Sequence, residues 1–187
     1  VYLSGDAAAP GPAFLARLVS LDPAGKSFLL YRSGAAEMLS NRPEAETTDL
    51  LRAAGPFTGN GARKAYWSGE FGPTAVQGGD GSAEAVYVET ARVALAHQTA
   101  ATVWAVKRQR TGLVVGYIPF PDEAAHLWAG YVEPGGPAFD KDIAAKLEPH
   151  LRAIMAGADR FLGEVRAAAG PDTVVALSSD HGMRGYT

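Results

Sequence analysis

The sequence contains no cysteine. Disulfides, zinc ribbons, iron–sulfur clusters and thiol nucleophiles are therefore excluded, and any bound metal must be held by His, Asp, Glu or main-chain groups. No apolar run approaches the roughly 20 residues that span a bilayer, so a membrane partner is not expected. The opening "VYLSGDAAAPGPAF" lacks the charged-then-apolar layout of a secretion signal. Basic clusters are missing as well. With 17 Lys and Arg against 20 Asp and Glu, the net charge is −3, and no stretch concentrates enough cation to neutralise a row of phosphates. A nucleic-acid partner is disfavoured on that ground. Internal repeats and low-complexity linkers are also absent.

What is present is enough apolar sequence for one ordinary core: 47% of the 187 residues are hydrophobic. Residues 1–187 read as a single α/β domain with an irregular Gly- and aromatic-rich excursion at about 56–82, pinned by Phe57, Tyr66, Trp67 and Phe71. Before it, "PAFLARLVSL" at 12–21 suggests a short helix, "KSFLLYRS" at 26–33 a strand, and "EAETTDLLRAAG" at 44–55 a helix closed by Gly55. After it, residues 83–109 predict a long helix with Val88, Ala91, Leu95, Val103 and Val106 on one face. "GLVVGYIP" at 112–119 reads as a buried strand. A second long helix spans about 140–169, with Asp140 or Asp142 as N-cap, Gly170-Pro171 as the stop, and Pro149 bending or restarting it. "TVVAL" at 173–177 reads as another buried strand. Strand, helix, strand implies a parallel pair with a right-handed crossover, and so a mostly parallel sheet with flanking helices.

Each of these two runs ends in residues with metal-binding chemistry. Asp122 and His126 are related as i, i+4, so a helix starting near Pro121 puts both on one face. Asp180 and His181 follow the second run directly. Alone, the first pair reads as a helix cap with a surface histidine and the second as turn chemistry. Ligands of open parallel sheets gather beyond the carboxyl ends of the strands, so together the four residues predict a shared crevice. Other features have plainer readings. "GKS" at 25–27 lacks the upstream glycine of a phosphate loop, Ser20 standing in its place, and Ser82 in "GGDGSAE" caps the following helix. His97 and His150 lie inside helical patterns, and Trp67, Trp104 and Trp128 read as packing residues, with Trp128 close enough to His126 to line a pocket.

"YIPFPDEAAHLWAG" followed, one helix later, by "TVVALSSDHGM" resembles the alkaline phosphatase superfamily, closest to its type I phosphodiesterase/nucleotide pyrophosphatase branch. The family patterns are Pro-Asp-x-x-Gly-His-x-x-Gly and Ser-Asp-His-Gly-Met. Pro121, Asp122, His126, Ser179, Asp180, His181, Gly182 and Met183 fit them; Ala125 replaces a glycine, and Gly130 comes one residue late. The resemblance covers about 112–187 well and the remainder loosely. It implies an alkaline-phosphatase-like α/β fold, a hydrolase acting on phosphoric esters, and an extracytoplasmic location. It also implies two zinc ions, with manganese or another divalent ion as a substitute. Asp122 and His126 would serve one ion, Asp180 and His181 the other.

Against the pattern, Arg32 and Ser33 occupy the place of the family's upstream aspartate, and no third downstream histidine appears. The expectation is therefore a partial site, with the nucleophile before Val1 and the last ligand after Thr187. Thr47 and Thr48 are minor candidates for the nucleophile. The same superfamily holds sulfatases and phosphoglycerate-mutase-like enzymes, and a non-catalytic α/β binding or structural module remains an alternative that metal analysis would separate.

Overall fold

The computed structural model describes residues 11–108 and 112–184. Ala16–Leu21 (β1) and Phe28–Arg32 (β2) form an antiparallel pair with Leu18 opposite Leu30 and a register shift after Leu18. The turn between them explains why the segment expected as a helix at 12–21 instead carries the strand Ala16–Leu21. Asp22 accepts from the backbone of Ala24 and Lys26 at 3.1 and 3.2 Å, and Gly25 takes a φ of 71° that only glycine adopts cheaply. That turn folds 12–21 back on its neighbour, and Val19 and Tyr31 then pack against the core. Tyr31 sets its ring edge-on to Phe71 at 5.0 Å.

Glu44–Ala54 (α1) forms where the sequence places it. Glu44 and Glu46 sit in its first turn, and Gly55, at φ 72°, closes it by donating to the Leu51 carbonyl. Residues 56–81 are more ordered than an excursion. They include Arg63–Trp67 (α2) and a short 3-10 turn at Ala75–Gln77. Tyr66 and Phe71 are buried, whereas Trp67 is exposed and Phe57 lies half-buried against His97.

Ser82–Arg108 (α3), Asp122–Val132 (α4) and Lys141–Ala169 (α5) carry the core, with α5 packed along α3 and α4 and α1 laid on α3. Val88, Ala91 and Leu95 of the predicted α3 face are buried, and Val103 and Val106 are half-buried. Asp140 caps α5 by accepting from the backbone of Asp142 and Ile143, both at 2.9 Å. The helix continues through Pro149, which is exposed, so the carbonyl it leaves free can meet water. At the centre, Tyr66, Tyr87 and Trp128 form an aromatic triangle with ring centroids 5.2–5.9 Å apart.

The expected α/β fold, a mostly parallel sheet with flanking helices, is not what the chain builds. Half of the described residues are helical, and their one sheet is the two-stranded β1–β2 pair. Residues 112–119 and 173–177 join no ladder, and side chains expected inside lie open: Val115 is 84% exposed and Val174 92%. The physical reason is in the helices. The apolar stripe of α5, read as a crossover covering a sheet, instead meets α3 and α4 directly, with Leu147, Ile154 and Phe161 buried. A parallel pair also needs cover on both faces, which these segments lack. Among the described residues, no helix is long and apolar enough to cross a membrane.

Candidate metal centre

The first functional segment is placed by burial. Phe120 is almost fully buried against Tyr87, and Gly61 lies so close that a Cβ there would meet Phe120 Cζ at 3.2 Å. Directly after this anchor, the Pro119 and Pro121 carbonyls accept from Glu123 and Ala125 at 3.0 and 2.9 Å and start α4. Ala124, Leu127 and Trp128 form the buried face of α4. That phase turns Asp122 and His126 outward, one turn apart, with His126 Nε2 3.4 Å from Asp122 Oδ1.

The second segment arrives after α5. Ser179 Oγ donates to the His181 carbonyl at 2.6 Å, closing a tight turn, and His181 Nδ1 lies 2.9 Å from the Gly182 carbonyl. A carbonyl can only accept, so Nδ1 carries the proton and Nε2 of the neutral ring keeps its lone pair. Nε2 sits 3.5 Å from Asp122 Oδ1. The Gly182 carbonyl, then Asp180 and Asp122, raise the His181 pKa above the usual histidine value.

Asp122, His126 and His181 thus form a group that could hold a metal ion, each offering one ligand atom with all three within 4.8 Å of one another. The distances test the fit. Ligands about 2.0–2.2 Å from a tetrahedral ion stand roughly 3.3–3.5 Å apart, and the two contacts to Asp122 meet that spacing. The imidazole rings are 5.8 Å apart between centroids. The fixed Nδ1–H of His181 is the kind of second contact that orients a metal-bound imidazole.

The other expected site residues lie elsewhere. Asp180 is outside the group, its side chain 90% exposed and 3.9 Å from His181 Nε2. Thr47 is engaged locally, donating towards Ser40 Oγ at 3.0 Å, and it stands with Thr48 on α1 rather than among the three ligands. Trp128 is buried, its indole N–H donating to Tyr66 Oη at 3.0 Å, so it belongs to the core. His97 and His150 are half-buried in α3 and α5. A groove of about 550 Å³ lies beside α3, lined by Leu39, Phe57, His97, Val115 and Tyr117 among others, and none of the three candidate ligands borders it.

Sequence reasoning missed the ion pair between Arg63 on α2 and Glu123 on α4, Nη1 to Oε2 at 2.9 Å. Glu123 follows Asp122 and precedes His126 by three, which was a usable signal for its place on the same helix face. No family model, curated protein or solved structure matches this chain.

Proposed function

We propose that the chain belongs to a metal-dependent hydrolase of phosphoric esters, in which Asp122, His126 and His181 bind one divalent ion, with zinc as the preferred species. The observation that carries this reading is the convergence of two motif segments, one opening α4 and one following α5, on a single set of ligand atoms. Histidine nitrogens with one carboxylate suit zinc, and three protein ligands leave a position open, as catalytic zinc sites do. Manganese is the substitute to test. The motif resemblance to phosphodiesterases and nucleotide pyrophosphatases supports the phosphoric-ester substrate class.

An ion bound there supplies polarisation of a phosphoryl oxygen and neutralises the charge that grows on it. The chain's residues fix where that happens. Asp122 bridges the two imidazoles, the helical phase of α4 holds His126, and the Gly182 carbonyl holds the His181 tautomer. Asp180 extends beside this group; among the described residues no second set of three such donors is gathered around it.

The reading is tested by titrating the chain with Zn²⁺ calorimetrically and then adding inorganic phosphate to the Mn²⁺-loaded protein while following ³¹P relaxation. Saturable binding of one ion per chain and metal-dependent phosphate relaxation are expected, both lost in Asp122→Ala and His181→Ala. Absence of saturable metal binding overturns the site. Metal binding without phosphate contact overturns the substrate class.

A further inference from the structure

We infer that Arg63 is the phosphate-contacting side chain of this centre, a role that rests on the phosphoric-ester reading above. The argument begins with helical phase. At about 100° per residue, His126 lies about 40° around α4 from Asp122 and about 60° from Glu123. Asp122, His126 and Glu123 therefore share one face, with His126 between the two carboxylates. His181 meets this face at Asp122, 3.5 Å away. Arg63 meets the same helix at Glu123, Nη1 to Oε2 at 2.9 Å. With His126 between Asp122 and Glu123 in helical phase, the guanidinium belongs to the edge of the face over which a group bound by Asp122, His126 and His181 would lie.

Arg63 is also held in place rather than free on the surface. The preceding residue, Ala62, is buried and donates its backbone N–H to Thr90 Oγ1 at 3.0 Å. Gly61, at φ 98°, brings the loop against Phe120, the residue that anchors the start of α4. Ala65 and Tyr66 bury the other side of α2. The Arg63 side chain is 47% exposed and the bond to Glu123 engages Nη1, leaving its other N–H donors outside that bond. Such a fork fits two oxygens of a phosphoryl group.

The chemistry of the rim calls for this cation. Asp122, Glu123 and Asp180 place three carboxylates around the centre, which a single divalent ion leaves unfavourable for an anionic ester unless another positive group stands by. Glu123 then positions Arg63 and takes no part in metal binding.

The test compares wild type, Arg63→Ala, Arg63→Lys and Glu123→Gln, measuring Zn²⁺ affinity by calorimetry and inorganic phosphate affinity on the metal-loaded protein. Arg63→Ala should weaken phosphate binding about tenfold or more while Zn²⁺ affinity stays within about twofold, and Arg63→Lys should recover part of the loss. Circular dichroism establishes that each variant is folded, and Glu123→Gln tests the positioning with a smaller loss of phosphate affinity. Unchanged phosphate affinity in Arg63→Ala overturns the inference and leaves the metal centre standing. Parallel loss of metal and phosphate affinity also overturns it, since a structural role would then explain both. If metal-loaded wild type binds no phosphate, the functional reading itself fails.

Discussion

His181 Nε2 stands 3.5 Å from Asp122 Oδ1, although the whole of α5 separates them in the chain. That contact, rather than the neighbouring Asp180, joins the second motif to the first.

The proposed ligand set is tested directly. Asp122→Ala, His126→Ala and His181→Ala should each lower Zn²⁺ affinity by about a hundredfold, while Asp180→Ala should change it by less than about threefold. Calorimetric titration of the four variants decides this. A loss in Asp180→Ala equal to that in His181→Ala would restore Asp180 as a ligand and break the three-residue assignment.

Stability should fall on mild acidification. Burial is the leading cause that holds the His97 and His150 imidazoles below the ordinary histidine range, and the carbonyls of Ala54 and Gly55 only partly offset it at His97. The unfolded chain protonates these side chains near pH 6.5, the folded chain only at lower pH. Between those values the unfolded state binds more protons, so the stability is complete above about pH 6.5 and is lost as the pH falls below it. His181 works the other way, because its raised pKa gives stability that is present below about pH 6.5 and lost as the pH rises through the raised value, though its place at the surface keeps the effect small. Urea midpoints at pH 7.5 and 5.5 should differ in wild type and converge in the His97→Gln/His150→Gln double variant. An undiminished difference in that variant would rule out these two histidines.

The long helices and the strand at 26–33, which holds β2, were legible, and the other strands were not, for reasons visible in particular residues. The α5 stripe from Ile143 to Val165 spans enough turns for its period to be unambiguous, and Asp140 and Gly170 mark its ends. "GLVVGYIP" and "TVVAL" are short apolar runs without a period, and burial cannot be read from composition alone; Val115 and Val174 are mostly exposed. In 12–21 the local apolar spacing suggests a helix, and the turn chemistry of Asp22 and Gly25 overrides it to give β1. In the site, the i, i+4 spacing of Asp122 and His126 was readable from sequence, whereas the choice between Asp180 and His181 depended on a turn closed by Ser179. Arg63 was invisible because its partner lies on another helix.

The Asp140 cap offers a check on the helix that separates the two motifs. Its carboxylate satisfies two backbone donors of the first turn, so Asp140→Ala should destabilise the chain by about 1 kcal/mol and Asp140→Asn by less. Urea unfolding measures the difference. Equal stability of the alanine variant and wild type would mean that the α5 start is held by packing alone.

The buried polar network beneath α4 should be costly to break. Tyr66 Oη donates to Glu84 Oε1 at 2.6 Å and accepts from Trp128 Nε1 at 3.0 Å, while the same glutamate oxygen accepts from the Ala75 backbone at 2.8 Å. Burial and the Glu84 contact push the Tyr66 hydroxyl pKa upward, so it acts as a neutral donor throughout the accessible pH range. Tyr66→Phe leaves a buried indole N–H without an acceptor and Glu84 with one donor fewer, and should cost about 2–4 kcal/mol. Because the two groups share one network, Tyr66→Phe combined with Glu84→Gln should cost less than the sum of the single changes, by about 1 kcal/mol. Zn²⁺ affinity should stay within about twofold, since Trp128 and Tyr66 face the core and Asp122 and His126 face outward. A Tyr66→Phe variant within about 0.5 kcal/mol of wild type would show that the network contributes little to stability, and additive single and double costs would show that its members act independently.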